Sequence, residues 1–339
     1  MKTATPAMAR AINDRLALDL LLEHGPLTAP QLRELTGLSR PTVADLIERL
    51  REAGLIEVAG EAGEERRGPN ARLFALVAER AHVAGVDIRW ASVTVTVADL
   101  TGRTVGTAVR TPDGSDLGAL VTGAIAEAAG GRALEAVALG APGLFDPRTG
   151  ALASGNGVPG WPADLLGEVR RSLDVTVLLE NEVNLAAIAE HRIGAAQGSA
   201  DFALLWLDDG VGSAVVLGGR LRRGASGGAG EIGMLAVGES DYCRAVQTEA
   251  IDGLPPEEIA RKVAVGAFAL VTILDPGLVV LGGRTGRSGG AALADLVEAE
   301  VARTSPAPTR FLPTAVEGNP ILQGAVLTAL DVARDRVFR

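Results

Sequence analysis

Residues 27–54 read LTAPQLRELTGLSRPTVADLIERLREAG, and the spacing of their apolar side chains predicts two short helices. In the second helix these side chains recur at the i, i+4, i+7 rhythm of an amphipathic helix. Gly37 lies between the two and supplies a tight turn. The side chains predicted to face inward are Leu32 and Leu35 in the first helix, and Val43, Ile47 and Leu50 in the second. The stretch therefore predicts a helix-turn-helix.

The start of the second helix carries its own signals. Ser39 is a good N-cap, and Pro41 falls in the first helical turn, where a missing N–H carries no penalty. This leaves Ser39, Arg40 and Thr42 at the exposed start of the helix, the end that meets base edges in the major groove of DNA. We expect these three residues to contact DNA, and Arg49 to be a weaker candidate for a phosphate contact.

The next segment predicts a β-hairpin with a basic tip. Residues 55–58 and 72–77 have the composition of strands, and residues 61–70 form a polar loop that contains Arg66 and Arg67. Such a hairpin directly after a recognition helix is typical of the wing of a winged helix, where it reaches phosphates or the minor groove. The alternative is a small helical scaffold without DNA-binding function.

A helix over about residues 9–24 completes the predicted winged helix, with Ile12, Leu16 and Leu20 facing inward.

Length, charge and aromatic content limit the number of domains and the kind of nucleic-acid binding that the chain can have. The chain has 339 residues, enough for two or three domains, and a net charge of −10. Residues 1–80 hold 11 basic and 12 acidic residues, so DNA contact is confined to a few arginines and the acidic remainder is kept away from phosphate. With 6 Phe, 3 Trp and 1 Tyr, the chain has too few aromatic residues for a base-stacking platform.

Cysteine content and hydropathy add two expectations. The single cysteine, Cys243, excludes an internal disulfide and leaves no cysteine cluster for structural zinc. Apolar runs such as FALLWL are too short to cross a membrane, and no apolar signal core stands at the N-terminus. We therefore expect a cytoplasmic protein.

The remainder of the chain contains two similar stretches. HVAGVDIRWASVTVTVADLTGRTVGTAV (82–109) and DFALLWLDDGVGSAVVLGGRLRRGAS (201–226) both read as three-stranded meanders, with helical sequence later at 117–129 and 256–274. In each, the first strand ends on acidic residues, Asp87 in one and Asp208 with Asp209 in the other. The repetition predicts a duplicated two-lobed α/β fold with a central cleft, and two unrelated βα segments are the alternative.

Four segments resemble the ROK family: GAPGLFD (140–146), ENEVNLAAIAE (180–190), GVGSAVVLGGRLRRGASGGAGEIG (210–233) and ILDPGLVVLGG (273–283). This family joins bacterial sugar kinases with sugar-responsive repressors on an actin-like, hexokinase-like fold. A winged helix at the N-terminus is similar to the repressor branch, which includes xylose and N-acetylglucosamine repressors.

The resemblance implies the domain boundaries. A winged helix-turn-helix domain over residues 1–80 is followed by a two-lobed ROK-type domain over residues 81–339. The lobes cover roughly residues 81–190, together with the C-terminal helix, and residues 191–325.

The phosphate-binding loops of the family's kinases are altered in this chain. Where these kinases carry Asp-x-Gly-Gly-Thr-Lys, the chain keeps Asp87 but places Arg89 and Trp90 at the two glycines, so we expect the phosphate cradle to be filled. Asp208 and Asp209 stand where the family usually offers Gly-Thr, and two carboxylates would repel a triphosphate unless a metal intervened.

The general base of the family's kinases is also changed. It is the Asp of an Asn-Asp pair, and the pair here is Asn181-Glu182, whose longer side chain displaces the carboxylate. Together with the altered loops, this change leads us to expect a protein that is not an enzyme and that binds no nucleotide cofactor.

The resemblance also implies a set of effector contacts in the cleft: Asn156, Asn181, Glu182, Glu231 and Glu249. Asn156 precedes Gly160-Trp161 with a spacing displaced by one residue, and Gln247 could replace Glu249 if the alignment gap falls differently. Met234 replaces a histidine that binds sugar and, in relatives with a cysteine-rich loop, zinc, so no metal is expected.

Two alternatives need no ligand. The polar residues could form a hydrogen-bonded cleft floor that ties the lobes together, and Glu231 could cap a helix or turn.

These features together predict a sequence-specific DNA-binding transcriptional regulator, a repressor controlled by a sugar-like effector. Because one short recognition helix reads few bases, we expect a homodimer or homotetramer on a pseudo-palindromic operator, with lobe closure altering the spacing of the winged helices. The alternatives are an active sugar kinase with a fused DNA-binding domain, and an orphan regulator whose cleft binds no ligand.

Overall fold

The computed structural model describes residues 6–62, 71–146, 149, 151–152 and 156–338. The predicted Arg66 and Arg67 lie outside the described residues. The helices are α1 Pro6–His24, α2 Ala29–Thr36, α3 Arg40–Glu52, α4 Leu117–Ala129, α5 Leu165–Leu173, α6 Glu182–Ile193, α7 Tyr242–Val246, α8 Thr248–Ile251, α9 Pro256–Leu274, α10 Gly283–Ala302 and α11 Pro320–Val337. The strands are β1 Leu27–Thr28, β2 Ile56–Ala62, β3 Ala71–Leu76, β4 His82–Ile88, β5 Val93–Asp99, β6 Thr104–Arg110, β7 Leu134–Ala141, β8 Thr176–Asn181, β9 Phe202–Leu207, β10 Val211–Leu217, β11 Arg220–Arg222, β12 Ala236–Val237, β13 Ser240–Asp241, β14 Leu278–Gly282 and β15 Arg310–Pro313.

Helices α1–α3 and the sheet β1-β3-β2 form a winged helix. Thr28 and Gln31 form a capping box that starts α2, and Gly37, with φ at 70°, ends it. Strands β2 and β3 pair antiparallel from Ile56 opposite Leu76 to Ala62 opposite Ala71. The helix-turn-helix and its hairpin, both predicted from sequence, are therefore confirmed.

The side chains predicted to face inward in α1 and α2 are partly wrong. Leu35 is 46% exposed, Ile12 60% and Leu16 39%. In α1 the side chains that are buried in the core are those of Ala17, Leu18 and Leu21. Because apolar residues occur around much of α1, their spacing alone does not determine which face is buried.

The rest of the chain builds the same sheet twice. The first has the order β6-β5-β4-β7-β8 and the second β11-β10-β9-β14-β15. In both, the first three strands in chain order are antiparallel neighbours, and the last two join in parallel. The predicted duplication is confirmed, and the two helices predicted over 117–129 and 256–274 are α4 and α9.

Helices α6 and α11 pack between the two sheets. One apolar cluster contains Leu185 of α6, Ala325 and Ala329 of α11, and Phe202 and Leu204 of β9. The two helices approach closely at Gly324, where an added Cβ would lie 1.9 Å from the Leu185 carbonyl oxygen. Any larger residue at this position would force α11 away from α6.

The far end of α11 packs against the winged helix. Phe338, which follows α11, is 7% exposed and belongs to the same apolar cluster as Leu18 and Leu100. Arg15 of α1 lies over the Phe338 ring at 5.4 Å and pairs with Asp335 at 2.9 Å. The winged helix is thus anchored to the first lobe by the C-terminal end of α11.

Candidate functional site

The N-terminus of α3 brings three of the predicted DNA contacts together. Ser39 caps the helix, with its Oγ accepting from the Thr42 N–H at 3.4 Å, and the two hydroxyl oxygens lie 2.8 Å apart. Arg40 follows the cap and is exposed. The cap therefore fixes the helix end from which Arg40 projects, while the two hydroxyls bond each other.

The other predicted DNA contacts differ in their surroundings. Arg49 donates to Asp14 of α1 from Nη2 at 2.5 Å and from Nε at 3.3 Å, so its guanidinium stabilises the winged-helix core. This internal ion pair makes Arg49 a poorer phosphate contact than its position in the sequence indicates. Arg72, which was not among the predicted contacts, lies exposed at the start of the returning strand β3.

The cleft end of the first lobe is occupied by an arginine network. Asp87, at the end of β4, accepts from Arg89 Nε at 3.0 Å and from Asn319 Nδ2 at 2.8 Å. The Arg89 guanidinium also lies 4.0 Å from Glu182. Arg89 therefore faces into the cleft, whereas Trp90 is 69% exposed. Trp90 does not line the cavity between the lobes that Arg89 lines, and the filling of the phosphate cradle by these two residues stays a prediction.

An arginine also neutralises the acidic turn of the second lobe. The backbone N–H of Arg284 donates to Asp208 at 3.2 Å, and its guanidinium lies 3.3 Å from Asp208 and 3.1 Å from Asp209. A cavity of about 460 Å³ lies between the lobes. The residues that line it include Asp87, Arg89, Asp208 and Arg284. The carboxylates of Asp87 and Asp208 are therefore each paired with an arginine side chain of the protein.

Three of the five predicted effector contacts line one smaller cavity. Asn181, Glu182 and Glu231 lie around a space of about 140 Å³ together with Trp206 and Ser213. Asn181 caps α6 through Oδ1 and donates from Nδ2 to the Gly143 carbonyl at 3.0 Å. Much of its hydrogen-bonding capacity is therefore used to hold the loop and helix that shape the cavity.

Glu182 is the most perturbed group in the cleft. Burial raises the pKa of its carboxyl to about 7, with Asp87 and Glu231 adding to the rise and Arg89 opposing it. Its Oε2 atom is buried and has no hydrogen-bond partner within the described residues. Burial also raises the pKa of Glu231. The side chain of Glu231 makes no capping bond to the 3₁₀ turn Ile232–Met234, so the predicted capping role is wrong.

The structure does not bring the other two predicted effector residues to this cavity. The Asn156 side chain donates to the Pro142 carbonyl at 3.1 Å and accepts from the Val158 N–H at 3.1 Å, so it braces its own loop. Glu249 lies exposed on α8. It follows Thr248, whose backbone N–H donates to the Asp208 carbonyl at 3.3 Å, and it is not among the residues that line the 140 Å³ cavity.

Sequence reasoning missed Asn319 and Arg284, which bond the acidic residues of the cleft, and Glu190, which joins two distant segments of the large domain. Asn319 before Pro320 is a recognisable helix start, but its bond to Asp87 spans 232 positions. Glu190 is 1% exposed and accepts backbone N–H groups of Ala195 and Ala315, tying α6 to the segment after β15.

Within the part of the chain that the structure describes, no group of three or more His, Cys, Asp or Glu residues could hold a metal ion. No helix among the described residues is long and apolar enough to span a bilayer.

These features define a winged helix joined to a duplicated, two-lobed α/β domain, and family comparisons agree. Residues 83–249 match the ROK family and residues 12–67 match the MarR family. The chain therefore carries a ROK-family domain behind a MarR-type winged helix.

Individual relatives include regulators and a kinase. The xylose repressor of Bacillus subtilis (strain 168) is 24% identical over 249 residues, covering 70% of this chain and 63% of that protein. The crystal structure of a ROK family transcriptional regulator, a homologue of the E. coli MLC protein, aligns over 97% of this chain and 99% of its own, with a TM-score of 0.76 and 16% identity. The ROK hexokinase of Thermus thermophilus aligns over 75% and 99%, with a TM-score of 0.64 and 28% identity.

Proposed function

We propose that this protein is a sequence-specific DNA-binding transcriptional regulator of the cytoplasm, acting as a repressor on duplex DNA. The observation that carries this proposal is the capped, exposed N-terminus of α3, from which Arg40 projects. A helix end of this kind meets base edges in the major groove, and arginine is the side chain that most often reads guanine there. The similarity to a protein named as a xylose repressor supports the same assignment.

The large domain serves as a receptor in this proposal and performs no phosphoryl transfer. A kinase needs backbone N–H groups and cations that are available to nucleotide phosphates. Here two of the cations beside the cleft, Arg89 and Arg284, are already paired with Asp87, Asp208 and Asp209. A third, Arg287, donates to the Gly318 carbonyl. The cavity at Asn181, Glu182 and Glu231 offers mainly carboxylate acceptors, which suit the hydroxyl donors of a sugar-like effector.

Helix α11 supplies a physical route between effector and DNA. Its N-cap residue Asn319 bonds Asp87 in the cleft, and Phe338, directly after its last residue, lies in the core of the winged helix. A ligand that moves the lobes therefore shifts the support of the DNA-binding domain. Two such domains on a homodimer or homotetramer would read a pseudo-palindromic operator.

One observation favours a second candidate function, a sugar kinase with a fused DNA-binding domain. The carboxyl of Glu182, at the position of the general base, has a pKa of about 7, which suits proton abstraction near neutral pH. ATP consumption with a panel of hexoses and aminosugars separates the two functions. The regulator proposal predicts no turnover above a Glu182→Gln control.

DNA binding is tested by incubating the purified full chain with fragmented genomic DNA and sequencing the bound fraction. The proposal predicts enrichment of a few sites that share an inverted repeat. Uniform recovery of all fragments would contradict it. Thermal shift with millimolar sugars, sugar phosphates and sugar acids then separates an effector-controlled regulator from one whose cleft binds no ligand.

A further inference from the structure

The charged residues that line the 140 Å³ cavity are all acidic. Glu182 belongs to the first lobe, at the start of α6, and Glu231 belongs to the second lobe, before the 3₁₀ turn Ile232–Met234. Among the described residues, no lysine, arginine or histidine lines this cavity. The neighbouring 460 Å³ cavity differs, because Arg89 and Arg284 line it. The smaller cavity therefore presents negative charge to an occupant.

Glu182 has no close partner for its charge. Its side chain is 12% exposed, and its buried Oε2 atom accepts no hydrogen bond from the described residues. The Arg89 guanidinium lies 4.0 Å from Oε1 and is hydrogen-bonded to Asp87 at 3.0 Å. A buried carboxylate in this state costs free energy until a proton or a cation compensates it. The rise of its pKa to about 7 has the same origin.

Two further polar side chains of the cavity wall already donate to backbone carbonyls. Asn181 Nδ2 donates to Gly143 at 3.0 Å, and Ser213 Oγ donates to Gly230 at 2.9 Å. The side-chain groups left for an occupant therefore include the carboxylate acceptors of Glu182 and Glu231. Such a wall favours a ligand that brings both hydrogen-bond donors and positive charge.

The cavity suits a small organic cation better than a metal ion. Ca²⁺ takes about 6–8 oxygen ligands. No three acidic, histidine or cysteine residues of the described chain are grouped so that they could hold a metal. The volume of about 140 Å³ also lies below that of pockets for drug-sized ligands, roughly 300–1,000 Å³. The occupant is therefore a small molecule that carries a cationic group.

We propose that the effector carries a protonated amine, which binds between the carboxylates of Glu182 and Glu231. A sugar with a free amino group supplies this charge on a small ring that also bears hydroxyl donors. The inference rests on the proposed function, because it names the chemical class of the effector that the regulator binds.

The same contact gives a reason for lobe closure. Glu182 and Glu231 lie on opposite lobes, so their charges repel each other across the empty cavity, and an ammonium group between them attracts both. Arg89 joins Glu182 to Asp87, which bonds Asn319 at the start of α11. Closure around the amine therefore reaches the helix whose other end packs against the winged helix.

The test measures the binding of single sugars to the purified full chain by titration calorimetry near neutral pH. Glucosamine, galactosamine and mannosamine carry an ammonium group, whereas glucose, galactose, mannose and the three N-acetyl derivatives keep the ring and are neutral. At least one amine should bind more tightly than both of its neutral counterparts, by about 10-fold or more. At saturation this amine should also change the affinity of the chain for its selected DNA site.

Two variants locate the ammonium group. Glu182→Gln and Glu231→Gln keep the size of the side chain and remove its charge, so each should weaken binding of the amine by about 10-fold or more. Glu239→Gln is the matched control, because Glu239 is exposed between β12 and β13 of the second lobe and does not line the cavity. Circular dichroism verifies that each variant is folded.

Four results would overturn the inference. They are the absence of any amine that binds more tightly than its neutral counterparts, an amine preference that survives in both folded glutamine variants, a bound amine that leaves the affinity for the selected DNA site unchanged, and saturable binding of Mg²⁺ or Ca²⁺ that Glu182→Gln abolishes.

The proposed function fails separately. If an amine binds through Glu182 but the wild type enriches no DNA site, the amine site stands and the regulator assignment falls. If the wild type enriches an inverted repeat but prefers no amine, the regulator assignment stands and this inference falls.

Discussion

Asn319 Nδ2 donates a 2.8 Å hydrogen bond to Asp87 Oδ2, which joins the start of α11 to the end of the first strand of the duplicated domain. The same Asn319 side chain accepts the N–H groups of Ile321 and Leu322 through Oδ1. Asn319 therefore caps α11, whose other end packs against the winged helix, and also bonds Asp87 in the cleft. The 18 residues of α11 span about 27 Å. The bond between Asn319 and Asp87 therefore positions α11 at one end, and the winged helix packs against the other end.

Replacement of Asn319 should separate these two roles. Asn319→Ala loses the cap and the bond to Asp87, and we expect a loss of about 2–3 kcal/mol in the free energy of unfolding. Asn319→Ser keeps a capping hydroxyl but is too short to reach Asp87, so about half of that loss should remain. Urea denaturation measures both. Equal stability of Asn319→Ser and the wild type would show that the Asp87 bond does not stabilise the fold.

Phe338→Ala should loosen the winged helix from the first lobe. The ring is 7% exposed against Leu18 and Leu100, and its removal should lower the free energy of unfolding by about 3 kcal/mol. Limited proteolysis should then cut near the domain junction faster than in the wild type. Arg336→Ala, an exposed change on α11, is the matched control. Unchanged proteolysis of Phe338→Ala would contradict this anchoring role.

Glu182→Gln should change how stability depends on pH. Burial raises the pKa of Glu182 from 4.5 to about 7, so the folded protein binds a proton that the unfolded chain releases between these values. The proton on Glu182 therefore stabilises the folded wild type in full below pH 4.5. This stabilisation decreases as the pH rises to about 7 and is absent at higher pH. Its size is on the order of 3 kcal/mol.

Glutamine carries no such proton, so Glu182→Gln should gain stability relative to the wild type as pH rises through this window. Urea denaturation at several pH values tests this, with the exposed Glu257→Gln on α9 as control. Parallel pH profiles for wild type and Glu182→Gln would contradict the prediction.

The architecture could be predicted from the sequence because the local signals for helix ends and strands agree with the tertiary structure. Ser39 and Gly37 determine where α3 begins and α2 ends whatever the rest of the chain does, and the repeated meander predicts two equivalent sheets. The inward face of α1 was not predictable, since Ile12 and Leu16 differ from Leu18 and Leu21 only in what tertiary packing covers.

Within the candidate site, sequence reasoning found the residues that lie next to each other in a motif. Asn181 and Glu182 begin α6, and their position follows from the cap. The partners of Asp87 and Asp208 were not predictable, because Asn319 and Arg284 approach them from 232 and 76 residues away. Asn156 was misplaced because its amide bonds the loop that contains it.

The wing should contribute affinity without sequence preference. Arg66→Ala with Arg67→Ala removes two cations from the predicted tip, and the slope of log affinity against log salt should become shallower by about 2. Binding to all DNA sequences should weaken by a similar factor. Fluorescence anisotropy across a salt series measures the slope, and Arg220→Ala with Arg336→Ala, two exposed positions, is the charge-matched control. An unchanged slope would exclude the wing as a phosphate contact.

The most direct test of the regulator assignment is the affinity of wild type and Arg40→Ala for the DNA site recovered by selection, compared with a scrambled site of equal length. Arg40→Ala should weaken specific binding by about 1–3 kcal/mol and leave binding to the scrambled site nearly unchanged. Arg33→Ala, an exposed arginine on α2, should retain wild-type specificity. Equal specific affinity of Arg40→Ala and wild type, or no preference of the wild type for the selected site, would contradict the assignment of α3 as the helix that reads DNA.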